Sequence, residues 1–411
     1  MAAPIRAATA SRSATDTLRI GVIGAGVAGQ AAAIALAGDG HEVRVFERFA
    51  NARPLGAGLL LQPSGMLALE RLGLRDEAER WGARVTELDG RILNGRRVLD
   101  LAYPDGECGL GIHRGALFGL LHEAMLGRGA RLTLDFEVER VEDFARPVIV
   151  SARNENEGAF DLLLDCAGAH DRLRSELGLG VRAPLYPWGA LWATCTDPAG
   201  AFAGKLRQRY DGAHLMIGIL PVGRAPQTGA PCVAFFWSVK LADVESERAA
   251  GLHALKARVL AAWPEAAPIV NQIGQFEDFS LATYRDVSVG PCVRGRVVVI
   301  GDAAHGTSPQ LGQGANLALI DAVTLAHCLR QTRDVDAALA RYQRDRARHV
   351  AFYRYASRLL TPAFQSDGAI VPWLRDHFLA LANRLPGGRY LSSTTLSGVR
   401  KFPIGLWKPP E

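Results

Sequence analysis

Three glycines near the N-terminus have the spacing that lets a backbone approach a bound pyrophosphate. They lie between a buried apolar strand and an alanine-rich helix, and their roles differ: Gly24 permits a tight turn, Gly26 leaves the path of the ligand clear, and Gly29 lets the helix pack closely on the strand. Because Val27 and Ala28 begin the helix, their free N–H groups would face the phosphates. The turn therefore predicts a nucleotide-binding site.

A carboxylate follows at the distance that such a site requires. Glu47 ends a second strand, residues 42–46, about twenty residues after the glycines, where it can accept hydrogen bonds from ribose hydroxyls. The positive charge of the adjacent Arg48 keeps open the alternative that this position binds a phosphate. The turn and the carboxylate alone are compatible with NAD, with FAD, or with a glycine-rich turn that binds nothing.

A second element of the strand–turn–helix kind lies far downstream. Residues 297–300 form an apolar strand that ends in Gly301 and Asp302, and the turn 312–316 starts another helix. The carboxyl ends of strands are where doubly wound folds present ligand-binding groups. Together the two elements indicate FAD. His305 is compatible with a catalytic base and also with a structural histidine beside the cofactor.

Composition excludes several classes of protein. The chain has 411 residues, of which 48% are hydrophobic, so we expect two domains. Its net charge of +5 comes from scattered arginines rather than a basic block, which argues against nucleic-acid binding. No apolar run reaches the roughly 18 residues of a transmembrane helix, and six widely spaced cysteines predict free thiols and no metal site. We expect a cytoplasmic protein.

The motifs fall in segments that alternate along the chain. The pattern predicts an α/β fold in which a Rossmann-like FAD-binding domain is interleaved with an antiparallel β-sheet substrate domain and followed by C-terminal helices. The predicted segments are a flexible tail (1–16), three FAD-binding parts (17–80, 106–184 and 285–360), two parts of the substrate sheet (81–105 and 185–284) and a C-terminal helical segment (361–411).

The order of the motifs resembles that of the single-component flavin monooxygenases built like para-hydroxybenzoate hydroxylase. The features that match, over residues 17–360, are the glycine turn, a loop with Gly56 and Gly58, Arg114, a short motif near residue 165, and the downstream Gly-Asp and GxGxN elements. The resemblance implies an oxidoreductase that hydroxylates an aromatic or electron-rich small molecule with dioxygen, through a C4a-hydroperoxide of reduced FAD.

The resemblance also assigns residues to the cofactor. Arg114 would reach FAD from a helix start, Val138 would contact the adenine, and Asp302 would bind the ribityl hydroxyls. Pro309 and the turn 312–316 would lie against the flavin ring, where a helix dipole stabilises negative charge. No catalytic side chain stands out beyond Pro309 and His305. The expected cofactor-binding residues are Gly24, Gly26, Val27, Ala28, Gly29, Glu47, Arg48, Gly58, Arg114, Val138, Asp302, Pro309, Gly312, Gly314, Ala315 and Asn316.

The substrate pocket is expected in the aromatic stretch 185–284. An apolar pocket would keep water away from the reactive flavin. The candidates to line it are Trp192, Tyr210, His214 and Trp237, although each of them also suits simple packing within a sheet.

One motif departs from the family pattern. Where most members carry Asp-Gly followed by Ser and Arg, this chain has Ala167 at the aspartate position and Asp171 at the serine position, while Gly168 and Arg174 fit. Because that motif supports FAD and reduced-nicotinamide binding, direct use of NADH or NADPH is in doubt. We predict that flavin reduced externally, for example by a partner flavin reductase, supports turnover better.

Two other functions stay open. The same scaffold could serve a flavin oxidase, a reductase or a halogenase, but the WxWxIP signature of halogenases is absent, since Trp188 and Trp192 have the wrong spacing. Alternatively, the protein could bind flavin as a sensor without turnover. The sequence does not identify the substrate or the oligomeric state.

Overall fold

Alternating apolar stretches and turn residues divide the chain into the strands of two large sheets and the helices that cover them. The computed structural model describes residues 17–51, 57–104, 106–403 and 405–407, so the predicted tail and Gly56 lie outside the described residues. The strands are β1 (Arg19–Ile23), β2 (Glu42–Phe46), β3 (Gly58–Leu61), β4 (Ala83–Ile92), β5 (Arg97–Ala102), β6 (Gly109–His113), β7 (Arg131–Thr133), β8 (Val138–Glu142), β9 (Val148–Ser151), β10 (Asn156–Glu157), β11 (Leu162–Asp165), β12 (Val181–Arg182), β13 (Trp188–Thr196), β14 (Gly204–Asp211), β15 (Leu215–Arg224), β16 (Pro231–Lys240), β17 (Ser280–Ala282), β18 (Ser288–Val289), β19 (Val293–Arg294), β20 (Val297–Val299), β21 (Arg400–Lys401) and β22 (Gly405–Leu406). The helices are α1 (Val27–Gly38), α2 (Pro63–Arg71), α3 (Arg75–Trp81), α4 (Arg114–Gly127), α5 (Leu173–Glu176), α6 (Val244–Ala262), α7 (Ala267–Val270), α8 (Asp302–His305), α9 (Gly314–Gln331), α10 (Val335–Phe364), α11 (Ile370–Leu374), α12 (Ala380–Arg384) and α13 (Pro386–Leu396).

The first sheet has six strands in the order β19-β20-β11-β1-β2-β7, and its neighbours are parallel except for β19. Its central strands are buried and mostly apolar, with residues 162–164 in β11 and four of the five residues of β1 buried, because helices such as α1 and α9 cover the sheet. Strands β1, β11 and β20 end next to one another. Their carboxyl ends therefore bring Gly24, Cys166 and Gly301 to a single edge of the sheet.

The second sheet has nine strands, and its neighbours are antiparallel except for β14 and β4. A hairpin at Asn94 and Gly95 joins β4 to β5, with Gly95 at φ +84°. Strands β3 and β6 also belong to this sheet, although their residues fall in segments that the sequence assigned to the FAD-binding part. Gly58 allows this, because a Cβ there would lie 2.4 Å from Cγ1 of Val222.

The two faces of the nine-stranded sheet pack against different helices, because successive side chains of a strand point to opposite sides. One face packs on α6 and includes Phe235 and Trp237. The other face includes Phe236 and Met216 and packs on Phe364 at the end of α10. Helix α10 thus connects the parallel sheet to the antiparallel one.

The C-terminal segment continues from α10 through α11, a π-helical turn at Arg375–Leu379, α12 and α13, and then forms the short strands β21 and β22 instead of further helix. Arg375 anchors it, donating hydrogen bonds to the carbonyl oxygens of Ala363 at 2.7 Å and Gly212 at 3.0 Å. Among the described residues, no helix combines the length and the apolarity that crossing a bilayer would require.

Candidate functional site

A groove of about 1000 Å³ runs along the edge where β1, β11 and β20 end. Most of the residues predicted to hold the cofactor line it. These residues are Gly24, Gly26, Val27, Ala28, Glu47, Arg48, Arg114, Val138, Asp302, Gly314 and Ala315. They come from elements far apart in sequence, and the groove is long enough to pass from the glycine turn to the start of α9.

Each glycine of the turn is required for a different physical reason. Gly24 has φ +94°, and a Cβ there would lie 2.6 Å from the carbonyl oxygen of Cys166. A Cβ on Gly29 would lie 1.9 Å from the carbonyl oxygen of Gly24, so only glycine lets α1 start this close to the strand. A Cβ on Gly26 meets no atom within 4 Å, because this residue faces the groove.

The N-terminus of α1 is open to a ligand. Its N-cap is Gly26, which has no side chain to bond the first N–H groups, and Val27 and Ala28 line the groove. Unpaired N–H groups and the positive end of the dipole make such a helix start a site for phosphate. The turn therefore suits a pyrophosphate.

Glu47 is held in place by the backbone around it. Its Oε2 accepts a hydrogen bond from the N–H of Ala25 at 2.9 Å, and its Oε1 accepts one from the N–H of Phe49 at 3.1 Å. Each carboxylate oxygen keeps a further lone pair for a ribose hydroxyl. Arg48 lies over the ring of Phe49, 4.6 Å from its centroid, and also lines the groove.

The opposite end of the groove is formed by the starts of α8 and α9. Gly301 has φ +64° and turns the chain from β20 into α8, which places Asp302 in the groove. Helix α9 begins at Gly314 without a side-chain cap, and a Cβ on Gly314 would lie 3.4 Å from Oδ1 of Asp302. This end therefore presents one carboxylate beside unpaired N–H groups, a set that suits the ribityl chain and the pyrimidine edge of a flavin.

Several of the predicted cofactor residues support the groove rather than line it. Asn316 is fully buried; its Oδ1 accepts a hydrogen bond from the N–H of Gln62 at 2.8 Å, and its Nδ2 donates one to the carbonyl of Gly312 at 2.7 Å. Gly312, at φ +59°, ends the short turn that begins at Pro309. Asn316 thus secures the turn that precedes α9, while Gly29 and Gly58 serve packing as described above.

His305 belongs to a buried ionic cluster behind the groove. Its Nε2 lies 2.6 Å from Oδ2 of Asp321, which also accepts a hydrogen bond from the N–H of Gly301 at 2.9 Å. Nε of Arg346 donates to Oδ1 of Asp321 at 2.7 Å. Burial alone would raise the pKa of Asp321, but the charges of His305 and Arg346 hold it below its ordinary value. In this position His305 fastens α8 to α9 and α10.

The motif that departs from the family pattern keeps its turn. The carboxylate of Asp171 accepts hydrogen bonds from the N–H groups of Leu173 at 2.8 Å and Arg174 at 2.9 Å, so it caps α5 as a serine would. The guanidinium of Arg174 is buried and donates to the carbonyl oxygens of Gly168, Ala169 and Ala303. Arg174 therefore supports the groove wall.

Asp165 lies at the end of β11, directly beneath this turn. It is fully buried, its Oδ1 accepts a hydrogen bond from the N–H of Ala167 at 3.1 Å, and its Oδ2 has no partner among the described residues. Burial, and then the neighbouring carboxylate of Asp171, hold the pKa of Asp165 well above its ordinary value. The fold therefore favours the protonated form of Asp165.

Two groove residues were missed by the sequence reasoning as ligand contacts. His170 and Arg285 both line the groove, and Nε of Arg285 donates to Nδ1 of His170 at 3.2 Å. Burial, and then the charges of Arg285 and other arginines, lower the pKa of His170. Arg285 lies in the connection between β17 and β18, where no motif marks it. Arg285 therefore adds positive charge to one side of the groove, while its charge disfavours protonation of His170.

Two of the predicted pocket residues share one face of the nine-stranded sheet. Trp192 stacks near Phe236, with ring centroids 4.7 Å apart, and its Nε1 donates to Oη of Tyr284 at 3.2 Å. Tyr210 is buried on the same face, and its ring centroid lies 5.4 Å from that of Phe364. Burial raises the pKa of Tyr284, and the charge of Arg114 partly offsets this rise. Tyr284 directly precedes the groove residue Arg285 in the chain, so this face adjoins the groove.

The other two predicted pocket residues lie elsewhere. Trp237 packs against α6, with Arg258 5.2 Å from its ring centroid, because it follows Phe236 in β16 and points to the opposite face. His214 is exposed in the β14–β15 turn, where its Nε2 lies 3.3 Å from Oδ2 of Asp211. The structure does not bring these two residues together with Trp192.

Comparison with known proteins agrees with this geometry. A family model described as an FAD binding domain matches residues 16–353. The chain is 27% identical over 375 residues to the aurachin C monooxygenase/isomerase of Stigmatella aurantiaca, covering 89% of this chain and 94% of that protein. It is 29% identical over 353 residues to the 6-hydroxynicotinate 3-monooxygenase of Pseudomonas fluorescens, covering 80% and 87% of the two chains.

A solved structure shows the same fold. The structure of Klebsiella pneumoniae HpxO complexed with FAD and uric acid matches with a TM-score of 0.74 at 22% identity, over 92% of this chain and 96% of that one. The predicted α/β fold, family and cofactor are thereby confirmed. The chain belongs to the FAD binding domain family and is an FAD-dependent monooxygenase of the para-hydroxybenzoate hydroxylase type.

Proposed function

We propose that this protein hydroxylates a nitrogen-containing aromatic or otherwise electron-rich small molecule with dioxygen. The observation that carries the proposal is the position of the flavin end of the groove. Arg285 lines the groove and directly follows Tyr284, which accepts a hydrogen bond from Trp192 on the aromatic face of the nine-stranded sheet. The relatives named for 6-hydroxynicotinate and crystallised with uric acid act on or bind nitrogen heterocycles, which supports this substrate class.

The residues of the groove would hold the cofactor in a fixed pose. Bound FAD supplies the redox chemistry that activates dioxygen. Glu47 would accept hydrogen bonds from the ribose, and Asp302 would accept them from the ribityl chain. The open start of α9 at Gly314 would stabilise negative charge on a flavin bound there.

The substrate would lie between Pro309 and the sheet face that carries Trp192 and Phe236. That face is apolar and excludes water from the reacting atoms. Hydroxyl groups adjoin Pro309, where the Oγ1 of Thr361 donates to Oγ of Ser308 at 2.7 Å. Neutral hydroxyls of this kind can orient a heterocycle without introducing a buried charge.

The electron donor is part of the proposal. We infer that NADH and NADPH reduce this flavin slowly and that an external source, such as a partner flavin reductase, is the better donor, because Ala167 replaces an acidic groove residue. Arg285 still offers positive charge to any anionic donor, so slow reduction would reflect poor placement of the nicotinamide. Six free cysteines support a reducing, cytoplasmic location.

Mass spectrometry of reaction products tests the function. The FAD-loaded protein is supplied with chemically reduced flavin, isotopically labelled dioxygen and a panel of hydroxylated pyridines, quinolines and purines. We expect one panel member to gain a single labelled oxygen atom. Oxidation or reduction of a panel member without labelled oxygen would assign an oxidase or reductase instead. Binding of a panel member without any product would favour the flavin-binding sensor.

A further inference from the structure

The C-terminal segment exposes an unusual amount of apolar side chain. Among the described residues, 18 large hydrophobic side chains are exposed, and nine of them lie between positions 370 and 391. We call these nine the C-terminal apolar face: Ile370, Val371, Trp373, Leu374, Phe378, Leu381, Leu385, Tyr390 and Leu391. A cluster of this size marks a surface that contacts something other than water.

The helical stretch from α11 to α12 buries polar side chains and exposes apolar ones, which is the reverse of an ordinary surface helix. The side chains it buries recur at helical spacing and are partly polar: Pro372, Arg375 and Asn383. Its outward side carries residues such as Trp373 and Phe378, which are 53% and 51% exposed. A water-facing helix would present the polar residues outward, so this orientation requires a cover over the apolar side.

The charges around the face have one sign. Arg384 and Arg389 are exposed, and neither forms an ion pair with any residue that the structure describes. The acids of the segment are already paired: Asp376 contacts the buried Arg375, and Asp367 contacts Lys240. The face therefore combines apolar side chains with unpaired cations.

We propose that the C-terminal apolar face docks on the surface of an anionic lipid bilayer. Aliphatic and aromatic side chains would enter the interface between headgroups and acyl chains, Trp373 and Tyr390 suit the headgroup level, and the arginines would pair with lipid phosphates. A second copy of the chain fits less well. A twofold interface would place the same face opposite itself and would bring Arg384 and Arg389 near their own copies without an acidic partner.

The chain segment that leads into the face contacts the proposed substrate region. Gln310, which directly follows Pro309, donates a hydrogen bond from its Nε2 to Gln365 at the end of α10, at 2.8 Å. We infer that an apolar substrate dissolved in the bilayer would enter beside this segment. This delivery role rests on the proposed function, whereas docking on the bilayer does not.

Flotation with lipid vesicles tests the docking. The FAD-loaded protein is mixed with vesicles of phosphatidylcholine alone or with added phosphatidylglycerol, and the floated protein is quantified by flavin absorbance. We expect flotation with the anionic vesicles, weakening as salt is added, because exposed charges are screened. This readout needs no turnover, so its failure is distinguishable from failure of the proposed function.

Paired variants locate the contact. Trp373→Gln with Phe378→Gln removes part of the apolar face, and Arg384→Glu with Arg389→Glu reverses the cations; each pair should reduce flotation by roughly tenfold or more. The matched controls are Leu126→Gln and Arg71→Glu, which change exposed residues on other helices and should float normally. Retained FAD and an unchanged circular dichroism spectrum show that each variant is folded.

Three results would overturn the proposal. The first is that the protein floats with neither the phosphatidylcholine vesicles nor those with added phosphatidylglycerol. The second is flotation that neither variant pair reduces. The third is self-association that Trp373→Gln with Phe378→Gln abolishes while vesicles bind nothing, which would assign the face to a second copy of the chain.

Discussion

At Gly26 and Gly29 the missing side chain serves two different purposes. Gly29 is needed by the protein itself, because a Cβ would overlap the carbonyl oxygen of Gly24. Gly26 is needed only by the ligand, because a Cβ there enters open space in the groove. Its φ of −77° and ψ of −172° are also accessible to any residue. Folding and cofactor binding can therefore be separated at this turn.

Gly26→Val is expected to fold normally and to lose FAD. The branched side chain would occupy the path of the pyrophosphate, while stability of the FAD-free protein should change by no more than about 0.5 kcal/mol, as for a surface substitution. Flavin absorbance after gel filtration and urea unfolding of FAD-free protein measure the two effects. The control Gly127→Val, at the exposed end of α4, should keep its FAD. Full FAD occupancy in Gly26→Val would contradict this assignment of the turn.

Asp165 gives the protein a buried carboxyl group whose protonated form the fold favours. Because burial raises its folded pKa above the unfolded value of 3.8, the folded state binds the proton more tightly. Its contribution to stability is present below the unfolded pKa and is lost as pH rises through the folded pKa.

Asp165→Asn is therefore expected to stabilise the protein increasingly as pH rises. The neutral amide does not need to hold a proton, and each unit of pKa shift corresponds to about 1.4 kcal/mol. Thermal unfolding at about pH 5 and about pH 8 checks this, with the gain larger at the higher pH. If the variant were less stable than the native protein at both, Asp165 would instead be ionised and held by a partner.

At the scale of elements, the cluster around Asp321 ties three helices to the flavin end of the groove. Asp321 lies on α9, His305 on α8 and Arg346 on α10, and all three side chains are buried. The carboxylate also holds the N–H of Gly301, which precedes the groove residue Asp302. The shape of the groove thus depends on a contact that the ligand does not touch.

Asp321→Ala is expected to cost roughly 3–5 kcal/mol, because His305 and Arg346 would be left buried without their counter-charge. Since its folded pKa is below the unfolded one, the stability that Asp321 provides is present above the unfolded pKa of 3.8 and is lost as pH falls. Urea unfolding at neutral pH measures the loss. Asp211→Ala, which removes an exposed contact to His214, should cost less than about 1 kcal/mol. Equal costs for the two would refute the role of the cluster.

The sequence predicted the elements that carry a local signal. The turn at Gly24, the strand before Gly301 and the helix starting at Arg114 are each marked by glycines, by β-branched runs or by a change of period, and all are present. Glu47 could be placed because the distance from turn to carboxylate is set by one βαβ unit. These features depend on neighbours in sequence.

Other features depend on partners that are distant in sequence. Nothing near Asn316 shows that its amide is used by Gln62, and nothing near Arg285 shows that it meets His170. Trp237 is the instructive case. Because side chains alternate along β16, the sequence already places Trp237 and Phe236 on opposite faces of the sheet. It does not tell which of the two faces is turned toward the groove, because that depends on the packing of α6 and α10.

At the scale of the whole molecule, we expect the altered motif with Ala167 and Asp171 to affect the rate at which the flavin is reduced more than any other property. Native protein should be reduced slowly by NADH and NADPH even with substrate present, and faster by a flavin reductase system. The double variant Ala167→Asp with Asp171→Ser restores the family residues and should accelerate reduction by a nicotinamide. Stopped-flow absorbance of the flavin measures both. Rapid, substrate-stimulated reduction of the native protein by NADPH would show that the departure has no such consequence.

The walls of the groove come from chain segments that a ribosome makes at very different times. The glycine turn emerges early, the wall around Ala167 later, and Asp302 with Gly314 only after most of the chain. The parallel sheet is also completed late, because β11, the neighbour of β1, is synthesised well after β1, and β20 is synthesised after β11. A ligand stabilises only the state that binds it. FAD therefore cannot help the nascent protein until synthesis has passed Ala315, and the early-made strands must avoid aggregation without it.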